Sequence, residues 1–292
     1  MTLTANWLTF IAVFALVGAA GARVLFARLE ASDMGSGAWA DADALARRIG
    51  VGAAVVLLIA GAFRLLAQAE SFLDPGEFLG VAAVRAMLAT AWGRGWWWQV
   101  GTAGLAAVAS LGPPGMAMAG ALLVSSTLPL TGHAVEAPYG PVVGVGLQAA
   151  HAFAGGLWLG TLAVALLSWR RSDPPERSGR RHGRLARLIE KFSPIAMASA
   201  SVLVATGAAQ AIGFVGSLRA LRETAYGQRL LLKLGLLLVL LAVGAYNWRI
   251  VRPTLGSRGA SRRLVRVAAL ELAIAMAILV VTASLVSLPA GE

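Results

Sequence analysis

Apolar residues run along this chain in long blocks separated by short polar, glycine-rich or basic stretches. Eight blocks stand out, at about 7–26, 49–67, 97–111, 116–131, 142–169, 195–216, 230–249 and 264–288. A helix crossing the ~30 Å hydrocarbon core needs ~20 mostly apolar residues at 1.5 Å per residue. The pattern therefore predicts an all-α integral membrane protein with eight transmembrane helices. The third and fourth blocks are short, and only Pro113, Pro114 and Gly115 separate them, which reads as a tight helix–helix turn. The first block has no basic stretch before it and is ~20 residues long, so it reads as a retained helix rather than a cleaved leader. Residues 72–92 mix apolar and charged positions, as a segment lying on the membrane surface would. Trp96, Trp97 and Trp98 follow and suit the headgroup level, where they would serve as lipid anchors or as part of a lid.

Basic residues orient the blocks. With the first residue outside, the predicted inner segments carry 18 Lys and Arg and the outer ones six, the remaining one of 25 being Lys233 inside a block. Positive charge collects on the cytoplasmic side, so both termini are expected on the periplasmic side of a bacterial inner membrane. Within the inner set, residues 170–191 form a basic loop. Positive-inside topology accounts for it, although such a loop could also dock a partner or anionic lipid.

A repeat is also visible. Residues 85–93 read RAMLATAWG and residues 219–227 read RALRETAYG, an offset of 134 that continues to Gly101 and Gly235. Each copy stands just before an apolar block, the third and the seventh. The expected organisation is two four-helix units, 1–140 (with an outer amphipathic segment at 70–95) and 141–292. Because four is even, the units would be parallel repeats about an axis along the membrane normal.

Composition agrees with the block pattern. The chain is 58% hydrophobic and 13% charged, with mean hydropathy +0.73. That is too little charge to coat a soluble particle of 292 residues. A net charge of +11 collected on one membrane face does not call for nucleic acid. There is no cysteine, which excludes disulfides, iron–sulfur clusters and thiolate metal sites. No nucleotide-binding glycine loop, HExxH helix or nucleophile elbow is present, so neither an enzyme nor an ATP-driven pump is indicated.

The chemistry lies in polar residues inside apolar blocks, because each costs at least ~2.5–3.5 kcal/mol there unless it faces a partner or a wet path. His133 ends the fourth block, with Thr127 and Pro129 just before it. His151 lies in the fifth, ~13 Å below the outer surface by helical rise. Gln148 and Gly155 share its helix face and Trp158 follows two turns on. Neutral imidazole is the commonest ligand for copper, zinc and iron. Two of the three histidines fall in the outer half of neighbouring helices, while His182 lies in the basic inner stretch. The pair is expected to face a common gap as metal ligands. If His133 stays at the surface and His151 lies deep, they become two stations in series, and helix–helix hydrogen bonds are the plainer use of both. The seven methionines form no cluster, so soft Cu(I) would rely on imidazole with at most one or two thioethers. Lys233 enters the seventh block from outside and Glu271 the eighth from inside, at different depths. Glu271 has Arg266, Arg249 and Asn247 as neighbours.

The segments Gly132-His133-Ala134, His151 through Trp158-Leu159-Gly160, Thr224 through Gln228-Arg229 to Lys233, and Ala269-Leu270-Glu271-Leu272 closely resemble the CopD copper-resistance family of bacterial inner-membrane proteins. The likeness runs from the fourth block to the end of the chain. It implies copper transport from periplasm to cytoplasm, with copper ion held by His133 and His151 and with Gln148, Trp158, Thr127, Lys233 and Glu271 along or around the path. It also implies a separate periplasmic copper-binding protein of the CopC type as partner, since no such domain is fused here. A homo-oligomer in the lipid bilayer is compatible with all of this. Two competing readings use the same residues: a haem b-binding or porphyrin-oxidising membrane protein with the histidines as axial ligands, and a membrane subunit that transports nothing.

Overall fold

The most apolar and least interrupted block forms the centre of the molecule. In the computed structural model, which describes residues 2–33, 37, 39–73, 78–171, 178–215, 218–254 and 258–286, helix α1 (Thr2–Ser32) buries Val13, Val17, Ala22, Leu25 and Leu29 completely. Its neighbours are α2 (Ala40–Glu70), α5 (Pro114–Thr127) and a long bent helix made of α6 (Pro141–Gly155), a π turn (Gly156–Gly160) and α7 (Thr161–Arg171). Helix α4 (Ala91–Leu111) packs between α2 and α5. The other helices are α3 (Val81–Ala89), α8 (Ser178–Val215), α9 (Leu218–Glu223), α10 (Ala225–Tyr246) and α11 (Arg258–Val286). No strand occurs among the described residues.

This is an all-α membrane protein. Among the described residues seven helices are long and apolar enough to cross a bilayer. The third expected span, within α4, is not one of them: Arg94 and Gln99 dilute its apolar run, although its 21 residues would span. Burial separates centre from rim. In the most apolar stretch of α1 and of Pro141–Arg171 67% is buried, against 11% in Ala225–Thr254, so the rim helices turn their leucines outward to lipid.

Glycine permits the central crossing. A Cβ on Gly18 would lie 2.2 Å from the carbonyl carbon of Gly160, and one on Gly160 would lie 2.1 Å from the Phe14 carbonyl oxygen. The two backbones touch there, as small residues allow in membrane helix pairs. Gly160→Ala is therefore expected to lower stability by ~1–3 kcal/mol, seen as a lower melting temperature in detergent, because backbone rather than a flexible side chain must yield.

The last third of α1 is tied to its neighbours by a buried guanidinium. Arg23 is 1% exposed; its Nε donates to Asp43 Oδ1 at 2.8 Å and its terminal nitrogens donate to the carbonyls of Ser110 (2.9 Å) and Gly112 (2.8 Å). One side chain thus joins α1, the start of α2 and the end of α4. Arg187 of α8 pairs with Asp33, just past the end of α1.

Three expectations change on folding. The basic stretch 170–191 is helix, not loop, from Ser178 onward. Leu185, Leu188, Ile189 and Phe192 repeat at helical spacing and are all buried, so they hold the segment against the core as an amphipathic extension of α8. The tryptophan cluster divides: Trp96 is buried and donates to the Gly61 carbonyl at 2.8 Å, while Trp97 and Trp98 face outward. Arg64, counted above among the outer positions, lies within α2 and turns inward. The two copies of the repeated segment share a local design. In each a short helix (α3 or α9) stops at a threonine whose hydroxyl caps the next helix, Thr90 accepting from Gly93 N–H at 3.1 Å and Thr224 from Gly227 N–H at 3.0 Å.

Candidate functional site

His151 occupies the contact between α6 and α8. Its Nδ1 lies 3.0 Å from the Thr206 hydroxyl. That hydroxyl donates its own hydrogen to the Val202 carbonyl at 2.7 Å, so it accepts from the ring. In that pattern Nδ1 is assigned the proton, which leaves the lone pair on Nε2. Gly207 leaves room for the ring, since a Cβ there would lie 3.1 Å from His151 Cε1. Gln210 follows one turn outward on α8 and binds the Thr206 carbonyl at 3.1 Å. An imidazole oriented through one nitrogen by an oxygen is the arrangement metal-ligating histidines adopt.

Lys233, on α10, is half-buried and lies within electrostatic reach of the His151 ring. Gln148 stands one turn outward of His151 on α6, also half-buried. The α6–α7 helix is irregular just beyond the histidine, where the π turn Gly156–Gly160 interrupts it. Such insertions cluster at functional sites. Trp158 in this turn is buried and marks the inward limit of the site.

His133 lies elsewhere. After Thr127 the chain tightens into a 3₁₀ turn (Leu128–Thr131) around Pro129, then a second one (His133–Glu136). The His133 side chain is 42% exposed, and its Nδ1 is 3.6 Å from Glu136 Oε2. The Ala134 carbonyl packs directly on Gly144 of α6. His151 is seven residues further along, ~10 Å deeper by helical rise. The two rings therefore lie at different depths. Tyr139 holds this outer loop to α8: its ring lies against Gly213 and meets Phe214 edge-on at 6.4 Å.

Thr127 belongs to a separate polar group in the first half of the chain. Its hydroxyl is 2.8 Å from that of Thr102. Next to it Gln99 Nε2 donates to the carbonyls of Thr127 and Leu128 and to Thr131 Oγ1, and Arg64 donates to Gln99 Oε1 (3.1 Å) and Thr131 Oγ1 (2.6 Å). Sequence reasoning passed over Arg64 and Gln99, although the 134-residue offset pairs Gln99 with Lys233. The side chains of this group bond to one another and to the carbonyls freed by the turn at Pro129.

Glu271 is 3% exposed on α11 and accepts from Asn247 Nδ2 at 3.2 Å. Lys233 is not its partner: among the described residues no ion pair joins them. Nor do three or more His, Asp or Glu side chains among the described residues converge in a group that could hold a metal ion.

Comparisons with known proteins bear on the whole chain. Residues 1–140 match the family model described as copper resistance protein D-like, N-terminal domain, and residues 186–285 match copper resistance protein D. A curated relative, the copper transport protein CutJ of Bacillus subtilis (strain 168), is 33% identical over 164 residues, covering 54% of this chain and 28% of its own length. The chain thus spans well under half of that relative. No solved structure matches.

Proposed function

The chain belongs to the copper resistance protein D family, and on that premise we propose that it carries copper across the bacterial inner membrane, from periplasm toward cytoplasm, through a path that includes His133 and His151. The observation that carries this reading is the His151 tautomer: with Nδ1 spent on Thr206, Nε2 is a ready ligand inside the membrane. The surface histidine, His133, is the capture station, with Glu136 beside it to attract a cation. Few ligands suit a transit site, because an ion must bind well enough to enter and weakly enough to leave. Lys233 adds repulsion at the inner station and favours onward release. At His151, imidazole nitrogen with no carboxylate in contact among the described residues suits a soft monovalent copper ion.

Both termini face the periplasm in this account, and a separate periplasmic copper carrier of the CopC type delivers the ion. With no nucleotide site, the membrane potential drives entry, a unit charge gaining ~2.3 kcal/mol per 100 mV. The test is copper uptake by liposomes holding the purified protein under an inside-negative potential. Wild type takes up copper, and His151→Ala falls to the rate of protein-free liposomes. Uptake that persists in a His133→Ala, His151→Ala double variant contradicts the path, and no uptake by wild type points to a subunit without transport.

A further inference from the structure

A cavity of about 330 Å³ opens in the inner half of the molecule, inward of His151, and neither His133 nor His151 lines it. It lies between α8, α10 and α11 and the π turn of the α6–α7 helix, with Trp158, Phe192, Ser193, Gly244, Asn247 and Glu271 among its walls. Asn247 begins a second π turn (Asn247–Val251), so both π turns among the described residues meet this cavity. Its lining is apolar apart from a few groups, and two of those are unbalanced. Glu271 is 97% buried by its 3% exposure and receives one donor, Asn247 Nδ2. Asn247 Oδ1 is buried with no partner. A carboxylate and an amide oxygen side by side, with one hydrogen bond between two groups that can make several, lack a positive centre.

The charged neighbours do not supply it. Arg252, from the 3₁₀ turn after α10, lines the cavity but makes no ion pair with Glu271 among the described residues. Arg249 and Glu190 line the adjoining groove at the inner face. Arg266, on α11 itself, is exposed, and Arg263 stacks over the Tyr246 ring at 5.5 Å. From α8 the cavity receives serines, and from the α6–α7 helix only apolar and indole groups.

We propose that Glu271 and Asn247 form a binding site for a hard monovalent cation, H⁺ or Na⁺, held between the Glu271 carboxylate and Asn247 Oδ1. Hard oxygen donors select against soft copper and for these ions. As a proton, the cation lets the carboxyl group donate to Oδ1 while Nδ2 donates back, closing a two-bond acid–amide pair. As sodium, it is coordinated by both oxygens and by cavity water. Either satisfies the same orphan atom. The site is independent of the copper reading, since it involves neither histidine.

The test uses the full-length protein in lipid nanodiscs, with no copper present. Infrared difference spectra across pH steps read a neutral carboxylic acid, and melting in NaCl against choline chloride at equal ionic strength reads sodium. The expected result is a titrating acid carbonyl band, or a sodium-specific rise in melting temperature, that is lost in Glu271→Gln. A second variant, Asn247→Leu, keeps the carboxylate and shifts the midpoint of the same signal at least about tenfold in cation concentration. A band without sodium response identifies the proton, and the converse identifies sodium. A wild type whose Glu271 stays ionised with no sodium response overturns the proposal, as does a signal that survives intact in both variants.

Discussion

Replacing Arg23 by methionine is expected to remove about 3–5 kcal/mol of stability, enough to abolish a well-folded detergent-soluble protein or to lower its unfolding midpoint sharply. The methionine fills much of the same volume, so the loss reports polar contacts rather than a hole. Three acceptors lose their donor at once: Asp43 Oδ1 and the carbonyls of Ser110 and Gly112. The two carbonyls lie at the end of α4, where the next residues are Pro113 and Pro114 and no backbone N–H continues the helix. Arg23→Lys rescues little, because an ammonium cannot reproduce the fork that reaches three groups in different directions. Arg28, one and a half turns on and exposed, is the control, and Arg28→Met should change stability by no more than ~0.5 kcal/mol. Denaturation of the three variants beside wild type in one detergent checks the prediction.

Thr206→Val is expected to weaken copper binding about 10–100-fold with the fold intact, the range lost when an oxygen that orients a ligating histidine is removed. Valine keeps the shape and deletes the acceptor of the Nδ1 proton. The ring then loses its fixed tautomer and orientation, so the lone pair on Nε2 is no longer held toward the site. Thr206→Ser keeps the acceptor and should recover most of the affinity. A merely structural threonine would show its loss in melting temperature instead, with copper affinity following stability across the series.

Much of this architecture is legible in the chain because hydrophobic length is a strong signal in a bilayer: any ~20-residue apolar block has few alternatives to a spanning helix. Helix α4 is the weak case for the same reason. Its Arg94 and Gln99 are satisfied by tertiary partners or placed near the interface, information that a sliding average of hydropathy lacks. Arg23 shows the limit of charge counting. Counting groups it with Arg28, and nothing local distinguishes it from that exposed neighbour, since its three partners come from positions 20 to 89 residues away. The amphipathic start of α8 was readable from the spacing of Leu185, Leu188, Ile189 and Phe192, and the surrounding arginines masked it. At the candidate site, the histidines and Glu271 announce themselves as polar residues in apolar runs, and Asn247 was among the neighbours expected for Glu271. Thr206 does not, because threonine in a membrane helix usually bonds its own backbone, as this one also does. The different depths of His133 and His151 depend on the seating of Ala134 against Gly144, a backbone contact with no local sequence signal beyond the glycine itself.

On the proposed reading His151 is a copper ligand oriented by Thr206. Titration of copper(I) into the detergent-purified protein against a coloured chelator, for wild type and for His151→Ala, tests it most directly. The account predicts that the variant loses one bound copper ion while retaining the wild-type melting temperature to within a few degrees. An unchanged number of bound ions with unchanged affinity in His151→Ala would contradict it.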